Sequence, residues 1–297
     1  MSLLGMADMN GDGLGSLVES AVAMKGDPTL NSTLLQGQAI GLFFAKQSLR
    51  TWVSCEVAAI QLGAHPLAIR DDTAGMGTRE SAADVGRVLD RYLDLLAMRV
   101  HDHSDLVAID NETDVPVVNL LSDLEHPCQA VADMQTIAEH RPLPETRIAF
   151  LGDGNNVCHS LMLAGTALGA DVVVGCPSGY EPNPDLTKLA GERTGSVTVT
   201  DDPEEAVSGA DVVYTDVWAS MGQESEQDLR RRHFAPFQVN EKLFALAKPD
   251  AIFMHCLPAH RGEEVTDGVM DHPRSVVFDQ AENRLHSFKA ILVDQLG

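Results

Sequence analysis

The feature that most constrains this chain is a regular alternation of short apolar runs with segments of helical periodicity. Short apolar runs bounded by turn residues predict buried strands, whereas apolar residues spaced i, i+3 and i+4 predict amphipathic helices. Apolar strands that alternate with helices are typical of parallel sheets covered on both faces. The predicted strands are 40–44, 66–69, 95–100 and 115–120 in the first half, and 147–151, 171–176, 196–200, 211–215 and 251–255 in the second.

Two prolines divide this pattern into halves. Pro142 and Pro144 follow a predicted helix at 126–140, and helices usually end before a proline. We therefore predict two α/β domains, 1–140 and 141–280, each with a doubly wound parallel sheet. The C-terminal segment 281–297, a predicted helix, is expected to join the first domain. Ligands of such sheets bind at the carboxyl ends of the strands, so the active site is expected in the cleft between the two domains.

The charge balance excludes some partners. The chain has 297 residues, with 21 lysines and arginines against 44 aspartates and glutamates, and a formal net charge of -23. Nucleic acids and anionic membranes are themselves negative, so binding to either is not expected. A small anionic substrate would depend on a few arginines placed at its site.

The cysteines and the hydropathy predict a cytoplasmic protein. The five cysteines are an odd number and form no CxxC pair, which favours thiols in a reducing compartment over disulfides. There is no run of 18 apolar residues, and the N-terminus lacks the basic and apolar regions of a signal peptide. Neither a membrane span nor secretion is therefore expected.

A candidate anion site lies at the start of the helix that follows the predicted strand 40–44. Ser48-Leu49-Arg50-Thr51 follows the predicted strand 40–44 and precedes a helical pattern set by Val53, Val57 and Ile60. With Ser48 as the N-cap, the N–H groups of the first turn and the helix dipole would attract an anion. Arg50 adds a charged fork that matches phosphate. The alternative is an ordinary capped helix with a surface arginine.

Other polar groups lie at predicted helix starts and strand ends. His126 and Gln129 share one face at the start of the helix 126–140, although a histidine there is often only a cap or a surface residue. Gly152-Asp153-Gly154-Asn155-Asn156 follows a predicted strand but lacks the third glycine of the dinucleotide fingerprint. Its asparagines are better interpreted as hydrogen-bonding groups for a polar substrate.

Two further strand ends carry reactive residue types. Asp216 is suited to hold a substrate ammonium group, with Ser220 adding a hydroxyl contact, and capping of the next helix is the alternative. Cys256 follows a predicted strand without the pattern of a thiol hydrolase, so we interpret it as a thiol lining the site. His255, Cys256 and His260 lack an evident fourth ligand, and no zinc site is predicted.

One apparent metal motif has a simpler explanation. The segment 8–19 matches the letter pattern of an EF-hand calcium loop. Too few residues precede it to form the incoming helix of that motif. We therefore interpret the segment as the cap of a helix at 14–25, and no metal is predicted.

Taken together, several motifs resemble those of the aspartate/ornithine carbamoyltransferase family, over nearly the whole chain and most closely its ornithine branch. Besides 48–51, the motifs are His126-Pro127-Cys128-Gln129, Gly152-Asp153-Gly154-Asn155-Asn156, Thr215-Asp216-Val217-Trp218 with Ser220-Met221-Gly222, His255-Cys256-Leu257-Pro258, and the run 276–284. The resemblance implies a carbamoyl-phosphate domain, an amino-acid domain and a homotrimer, or a multiple of trimers, with active sites near subunit boundaries. It implies no metal and no organic cofactor.

The resemblance also implies roles for individual residues. Those at carbamoyl phosphate would be Ser48, Leu49, Arg50, Thr51, Arg99, His126, Gln129, Cys256, Leu257 and Arg284. Those at ornithine would be Asn156, Asp216, Ser220 and Met221. Arg50, Arg99, His126 and Cys256 would take part in catalysis. The implied reaction transfers the carbamoyl group to the δ-amine of L-ornithine, giving L-citrulline and phosphate, while positioned donors stabilise the developing charge.

Four positions depart from the family pattern on the carbamoyl-phosphate side. Leu49 and Trp52 replace a threonine and an arginine of the usual Ser-Thr-Arg-Thr-Arg, Ala45 replaces a common glutamate, and Gly75 lies in a loop that often holds a polar residue. A leucine at position 49 resembles the pattern of family branches that act on N-acylated ornithine, whereas Ser220-Met221-Gly222 favours free ornithine. Carbamoyl transfer to another amine (N-acylated ornithine, lysine, putrescine or a specialised precursor) and a non-catalytic paralogue remain alternatives.

Overall fold

A computed structural model describes residues 2–70, 79–219 and 226–297. The chain divides into two compact units, Met1–Gln135 with Glu282–Gly297, and Thr136–Ala281. Each unit contains its own parallel sheet and its own hydrophobic core. This arrangement confirms the predicted class of two α/β domains with parallel sheets.

The first unit is built on a four-stranded parallel sheet. Its strands are β1 (Ala39–Phe44), β2 (His65–Arg70), β3 (Leu95–Arg99) and β4 (Val117–Leu121), in the order β2-β1-β3-β4. The chain adds β2 on one side of β1 and then crosses over to add β3 on the other side. Because the strands are parallel, the carboxyl ends of β1 and β3 lie side by side at this change of direction. Phe44 pairs with Arg99 at that point. Such a switch point is the usual place for a ligand.

Among the described residues of the first unit, five α-helices begin: α1 (Gly11–Gly26), α2 (Leu49–Gln61), α3 (Ala82–Leu89), α4 (His103–Asp110) and α5 (Pro127–His140). Helix α1 starts at the segment that matches the EF-hand letters. Asn10 occupies its N-cap position, and the Asn10 side chain accepts a hydrogen bond from the Gly13 amide at 2.8 Å. The interpretation of this segment as a helix cap is therefore confirmed.

The apolar spacing that predicts α2 lies toward the solvent side of that helix. Val53 is 50% exposed, Ile60 58% and Val57 half-buried, and Leu49 at the start of the helix is 78% exposed. The buried side instead carries small residues, namely Thr51, Cys55, Ala58 and Ala59. Helical periodicity therefore predicts the helix correctly, but it does not show which side faces the core of this unit.

The N-terminal segment positions the residues that lead into α5. Leu3 forms a parallel bridge with Val118 of β4, and the Met6 amide donates to the buried Glu125 carboxylate at 2.8 Å. Glu125 immediately precedes His126. These bonds therefore fix the chain at the carboxyl end of β4, where a predicted site residue lies.

The second unit is built on a five-stranded parallel sheet. Its strands are β5 (Arg147–Leu151), β6 (Asp171–Gly175), β7 (Ser196–Thr200), β8 (Val212–Thr215) and β9 (Ile252–His255), in the order β7-β6-β5-β8-β9. The chain again reverses direction along the sheet, here at β5, so the carboxyl ends of β5 and β8 are neighbours. Leu151 pairs with Thr215 there.

The α-helices that begin within the described part of the second unit include α6 (Asn156–Ala167), α7 (Pro184–Gly191), α8 (Pro203–Val207), α9 (Gln227–Phe234), α10 (Glu241–Phe244) and α11 (Asp267–Met270). The last helix, α12 (Val277–Leu296), begins earlier than the predicted residue 281. Its first turn is held within the second unit, because the Gln280 side chain accepts from the His255 amide at 2.9 Å and donates to the Tyr214 hydroxyl at 3.1 Å. Within the described ranges, no helix is both long and apolar enough to span a membrane.

Asp211, immediately before β8, gathers several donors. Its carboxylate accepts from Arg141 Nη1 at 2.6 Å, from Lys248 Nζ at 2.8 Å and from the Arg147 amide at 3.0 Å. Burial pushes the pKa of Asp211 upward. The hydrogen bonds from Lys248 and Arg147, with the charges of Lys248 and Arg141, outweigh burial and hold that pKa below its usual value.

We expect Asp211→Asn to lower the free energy of unfolding by about 2 kcal/mol at neutral pH, because charge-assisted hydrogen bonds are lost at a nearly buried site. The folded pKa of Asp211 is depressed, so the wild-type advantage is present above the unfolded pKa of about 3.9. It disappears as the pH falls through the folded pKa. Urea unfolding at neutral and acid pH measures both effects.

Asp171→Asn is the matched control for this prediction. Asp171 opens strand β6 of the same sheet and pairs with Arg147 at 2.7 Å, but its side chain is 34% exposed. An exposed pair contributes less than about 1 kcal/mol. Equal losses in the two variants would contradict the special role of Asp211.

Candidate active site

The turn at 48–51 begins α2 at the carboxyl end of β1. Ser48 occupies the predicted N-cap position with an extended backbone, but its side chain accepts no hydrogen bond from the helix backbone. The Ser48 hydroxyl instead donates to Thr51 Oγ1 at 2.8 Å. The Ser48 side chain therefore leaves the N–H groups of the first turn to other acceptors, as an anion site requires. Arg50 is half-buried within this turn, and Leu49 extends its side chain outward.

Thr51 also links this turn to the C-terminal helix. Arg284 Nη2 of α12 donates to Thr51 Oγ1, and both residues are buried. Arg99, at the end of β3, and His126, before α5, are buried as well. The charges of Arg284 and Arg99 both act on His126. The structure thus brings together four of the predicted carbamoyl-phosphate residues within the first unit.

His126 is held in its neutral form. Burial, with the charges of Arg284 and Arg99, keeps the pKa of His126 well below its usual value. At neutral pH its imidazole therefore has one N–H donor and one nitrogen acceptor. A neutral donor beside two arginines is suited to hydrogen-bond a carbonyl oxygen.

Gln129 lies one turn further along α5 and is 1% exposed. Its Nε2 donates to Asp133 Oδ1 at 2.8 Å. Its buried Oε1 receives no hydrogen bond from any residue that the structure describes. Because buried acceptors are normally satisfied, this oxygen is suited to a donor on a bound ligand.

Two of the departures from the family pattern lie beside this cluster. Trp52 stacks on Phe44 with ring centroids 5.5 Å apart, and its Nε1 donates to Glu56 at 2.8 Å. The Ala45 amide donates to the Arg99 carbonyl at 2.8 Å. At these two positions the family pattern has an arginine and a glutamate. In this chain, the carboxyl ends of β1 and β3 are instead supported by an aromatic contact and a backbone hydrogen bond. Gly75 lies outside the described residues.

The glycine-rich loop after β5 is shaped by close backbone packing. A Cβ at Gly154 would lie 2.2 Å from Pro182 N, and the Gly154 amide donates to the Tyr180 carbonyl at 2.9 Å. Asn155 caps α6, because its Oδ1 accepts from the Val157 amide at 3.0 Å. Its remaining donor, Nδ2, is turned toward the end of β8.

Asp216 receives that donor. Asp216 is 7% exposed, and its Oδ2 accepts from Asn155 Nδ2 at 3.0 Å while its Oδ1 accepts from Cys256 Sγ at 3.0 Å. One protein donor on each oxygen fixes the carboxylate plane, and each oxygen retains accepting capacity. Such a group is suited to bind an ammonium ion. Asn156, the predicted ornithine residue next to Asn155, begins α6 and is half-buried.

The residues after β9 form a second network. The Leu257 amide donates to His255 Nδ1 at 2.9 Å, which places the imidazole proton on Nε2, 3.2 Å from Glu264 Oε1. Asp216, His255 and Cys256 have ligand-type atoms within 4.8 Å of one another. Both imidazole nitrogens are engaged in these hydrogen bonds, so the set as arranged does not fit a metal.

Leu257 has an unusual backbone. Its φ of 57° lies in the left-handed region, which is strained for a side chain of this kind. Strained residues of this type cluster at ligand sites. Ser220 and Met221, the other residues predicted at ornithine, lie outside the described residues.

Sequence reasoning did not find two of the contacts in this unit. Asn155, predicted only as one of two asparagines near a polar substrate, donates to Asp216. Arg230 of α9, only 8% exposed at its side chain, bonds to Asp153 next to the Asp216 site. It stands first in Arg230-Arg231-Arg232, and the other two arginines are exposed. The sequence feature that could have indicated the burial of Arg230 is its spacing to the apolar Phe234, since residues four apart share a helix face.

Comparison with known proteins identifies the family. A sequence model of the carbamoyl-P binding domain of aspartate/ornithine carbamoyltransferases matches residues 1–139, and one of the Asp/Orn binding domain matches residues 144–294. The chain belongs to the aspartate/ornithine carbamoyltransferase family.

Individual relatives agree with this assignment. An ornithine carbamoyltransferase of Thermococcus kodakarensis is 50% identical, over 99% of this chain and 96% of the relative. The solved ornithine carbamoyltransferase of Pyrococcus furiosus is 49% identical with a TM-score of 0.96, over 100% of this chain and 97% of that one. A solved acetylornithine transcarbamylase is 30% identical with a TM-score of 0.90, over 100% and 99%.

The burial of the cysteines gives a direct test of the Asp216 site. Cys256 is half-buried, whereas the other four cysteines are buried. We expect iodoacetamide to modify Cys256 alone in the native protein, as identified by mass spectrometry of tryptic peptides. The rate should rise in Asp216→Asn, because the Asp216 carboxylate accepts the S–H bond and repels the reactive thiolate. Cys256→Ser is the control, and comparable modification of a second cysteine would contradict the burial pattern.

Proposed function

We propose that this chain is an ornithine carbamoyltransferase, which transfers the carbamoyl group of carbamoyl phosphate to the δ-amine of L-ornithine and releases L-citrulline and phosphate. The observation that carries the proposal is the buried Asp216 carboxylate, held by Asn155 and Cys256 in a member of this family. Relatives named ornithine carbamoyltransferase, at about half identity over nearly the whole chain, support the same amine.

The second unit binds the amino acid in this proposal. Asp216 pairs with the α-ammonium group of ornithine, which compensates the cost of keeping a carboxylate buried. Cys256 orients the attacking δ-amine. Asn156, Ser220 and Met221 complete the ornithine site.

The first unit binds carbamoyl phosphate. The phosphate lies at the start of α2, where helix N–H groups and buried guanidinium groups provide matched donors. Neutral His126 donates to the carbamoyl oxygen, and Gln129 Oε1 accepts from the carbamoyl amino group. The phosphate residues are Ser48, Leu49 through its backbone, Arg50, Thr51, Arg99 and Arg284, with Cys256 and Leu257 proposed toward the carbamoyl group.

The main requirement of this reaction is a set of positioned hydrogen-bond donors, which stabilise the charge that develops on the carbonyl oxygen and the leaving phosphate. The neutral δ-amine attacks the carbonyl carbon and forms the new C–N bond. The C–O bond to phosphate then breaks, its electron pair leaves with phosphate, and the amine proton passes to phosphate or solvent. Loss of one preorganised donor to such a charge typically costs about 100- to 1000-fold in rate. No oxidation, reduction or cofactor enters this balance.

Carbamoylation of N-acylated ornithine is the alternative that Leu49 favours. Acylation removes the α-ammonium charge, and the buried Asp216 carboxylate would then lack its counter-ion, which is costly. The solved acetylornithine enzyme is also less similar to this chain than the Pyrococcus furiosus ornithine enzyme. Both observations support free ornithine.

The purified protein should form citrulline from carbamoyl phosphate and ornithine, as measured by a colorimetric or mass-spectrometric citrulline assay. N-acetylornithine, lysine and putrescine, offered at the same concentration, should react at least about tenfold more slowly, because each changes the group that pairs with Asp216 or its distance to the amine. Asp216→Asn should reduce turnover of ornithine. Turnover of another amine without turnover of ornithine would reject the assignment.

We also propose a homotrimer, or a multiple of trimers, located in the cytoplasm. The exposed apolar side of α2, with Leu49, Val53 and Ile60, supports an interface with a second copy of the chain. Strand β2 is an edge strand with Leu67 exposed, and an uncovered edge also favours association. All five cysteines are thiols rather than halves of disulfides, in keeping with a reducing compartment. The acidic surplus opposes nucleic acid and anionic membranes as partners.

Sedimentation equilibrium tests the assembly. We expect a mass that is a multiple of three chains of 31.9 kDa. Val53→Lys should weaken association, because it places a charge in an apolar interface. The matched control is Val88→Lys on α3, since Val88 is similarly exposed at 48% but lies on another helix. A monomer for the wild-type chain would reject the proposal.

A further inference from the structure

Arg230 is a buried cation next to the Asp216 site. Its Nη1 donates to Asp153 Oδ2 at 2.7 Å and to the Trp218 carbonyl at 3.0 Å, and its Nε donates to Glu226 at 3.2 Å. The side chain is 8% exposed. An arginine is rarely buried to this extent unless its donors are paired.

Two aromatic rings hold the guanidinium in place. It lies 5.0 Å from the ring centroid of Tyr180 and 5.9 Å from that of Phe234. The backbone carbonyl of Tyr180 also accepts from the Gly154 amide. The loop after β5, the Tyr180 segment and α9 therefore meet at one arginine.

The two acceptors of Arg230 Nη1 lie on both chain segments that place Asp216. Asp153 is two residues before Asn155, the donor to Asp216 Oδ2. Trp218 is two residues after Asp216 itself. One guanidinium nitrogen thus fixes the segment that carries the carboxylate relative to the segment that carries its hydrogen-bond donor.

Arg230 also balances a second buried acid. Burial raises the pKa of the Asp153 carboxyl above its usual value, Arg230 opposes this, and the charges of Asp216 and Glu226 raise it further. Without Arg230, the carboxylates of Asp153 and Asp216 would repel each other in a site from which water is largely excluded. That repulsion would disturb the group intended for the substrate.

We infer that Arg230 is a positioning residue for the amine substrate: it holds the segment that carries Asp216 against the segment that carries its hydrogen-bond donor and pairs with Asp153, so that the Asp216 carboxylate keeps its place for an ammonium group. Arg230 acts through Asp216 and does not touch substrate in this assignment. The inference rests on the proposed function, because it takes the α-ammonium group of an amino acid as the partner of Asp216.

Steady-state kinetics of Arg230→Gln tests the inference. We expect the KM for ornithine to rise by at least about tenfold, because a small misplacement of a binding group has effects of this size. The KM for carbamoyl phosphate should change less than about twofold, since Arg230 lies among the residues of the amine site. Calorimetric binding of L-norvaline, which keeps the α-amino-acid group but lacks the δ-amine, should weaken in parallel with the ornithine KM.

Arg231→Gln is the matched control. Arg231 is the next residue of α9 and also pairs with an acid, Glu263 at 2.6 Å, but its side chain is 45% exposed. Both KM values should stay near those of the wild type. Arg230→Lys is a second variant, in case Arg230→Gln does not fold: it retains the charge but cannot bridge two acceptors with a fork, so the ornithine KM should still rise a few-fold.

The pairing with Asp153 is tested by a double variant. If Arg230 and Asp153 act as one unit, Asp153→Asn combined with Arg230→Gln should be no worse than Arg230→Gln alone. Fully additive losses would overturn the paired role, and equal rises in both KM values, or no rise, would overturn the positioning role. The wild-type protein is assayed first: absence of citrulline refutes the proposed function, whereas an unchanged ornithine KM in Arg230→Gln refutes only the inference about Arg230.

Discussion

A strongly acidic chain can hold an anion only where a few cations are buried together, and the hydrogen bond from Arg284 to Thr51 is the interaction on which this arrangement depends. It joins residues 233 positions apart and fixes the C-terminal helix against the turn that starts α2. Burial, together with the charges of Arg284 and Arg99, then holds the pKa of His126 well below its usual value and keeps it neutral. Charge, hydrogen-bond donors and a neutral imidazole are thereby combined in one place, despite a net charge of -23 for the chain.

The second unit has the opposite charge arrangement: it buries a carboxylate suited to a cation, where the first unit buries cations suited to an anion. Here the buried group that we propose for the substrate is the Asp216 carboxylate, and its neighbours are a side-chain amide, a thiol and the Asp153–Arg230 ion pair. In both units some of the charged groups, Arg99 in the first and Asp153 and Asp216 in the second, lie at carboxyl ends of parallel strands where the chain reverses direction along the sheet. Preorganised charge of this type supplies much of the stabilisation that group transfer requires.

Most of the fold was predictable, because burial on both faces makes each parallel strand a short apolar run. All nine predicted strands are present, two of them, 147–151 and 196–200, with the predicted bounds. The differences arise where tertiary contacts override local pattern. Helix α12 begins at Val277 because Gln280 bonds to the core of the second unit, and Ser48 turns from the helix backbone toward Thr51 because that hydroxyl oxygen is close enough to accept its bond.

The sequence by itself determined the fold class, the family motifs and the residue types of the two charged clusters, because periodicity and motif order are local properties of the chain. Only the tertiary structure decided which side chains cooperate. It selected Asn155 as the partner of Asp216, buried Arg230 rather than Arg231 or Arg232, and placed the apolar spacing of α2 toward its solvent side. Partner choice and burial depend on segments distant in sequence, and the physical reason is that a buried charge is tolerated only where such segments converge to satisfy it.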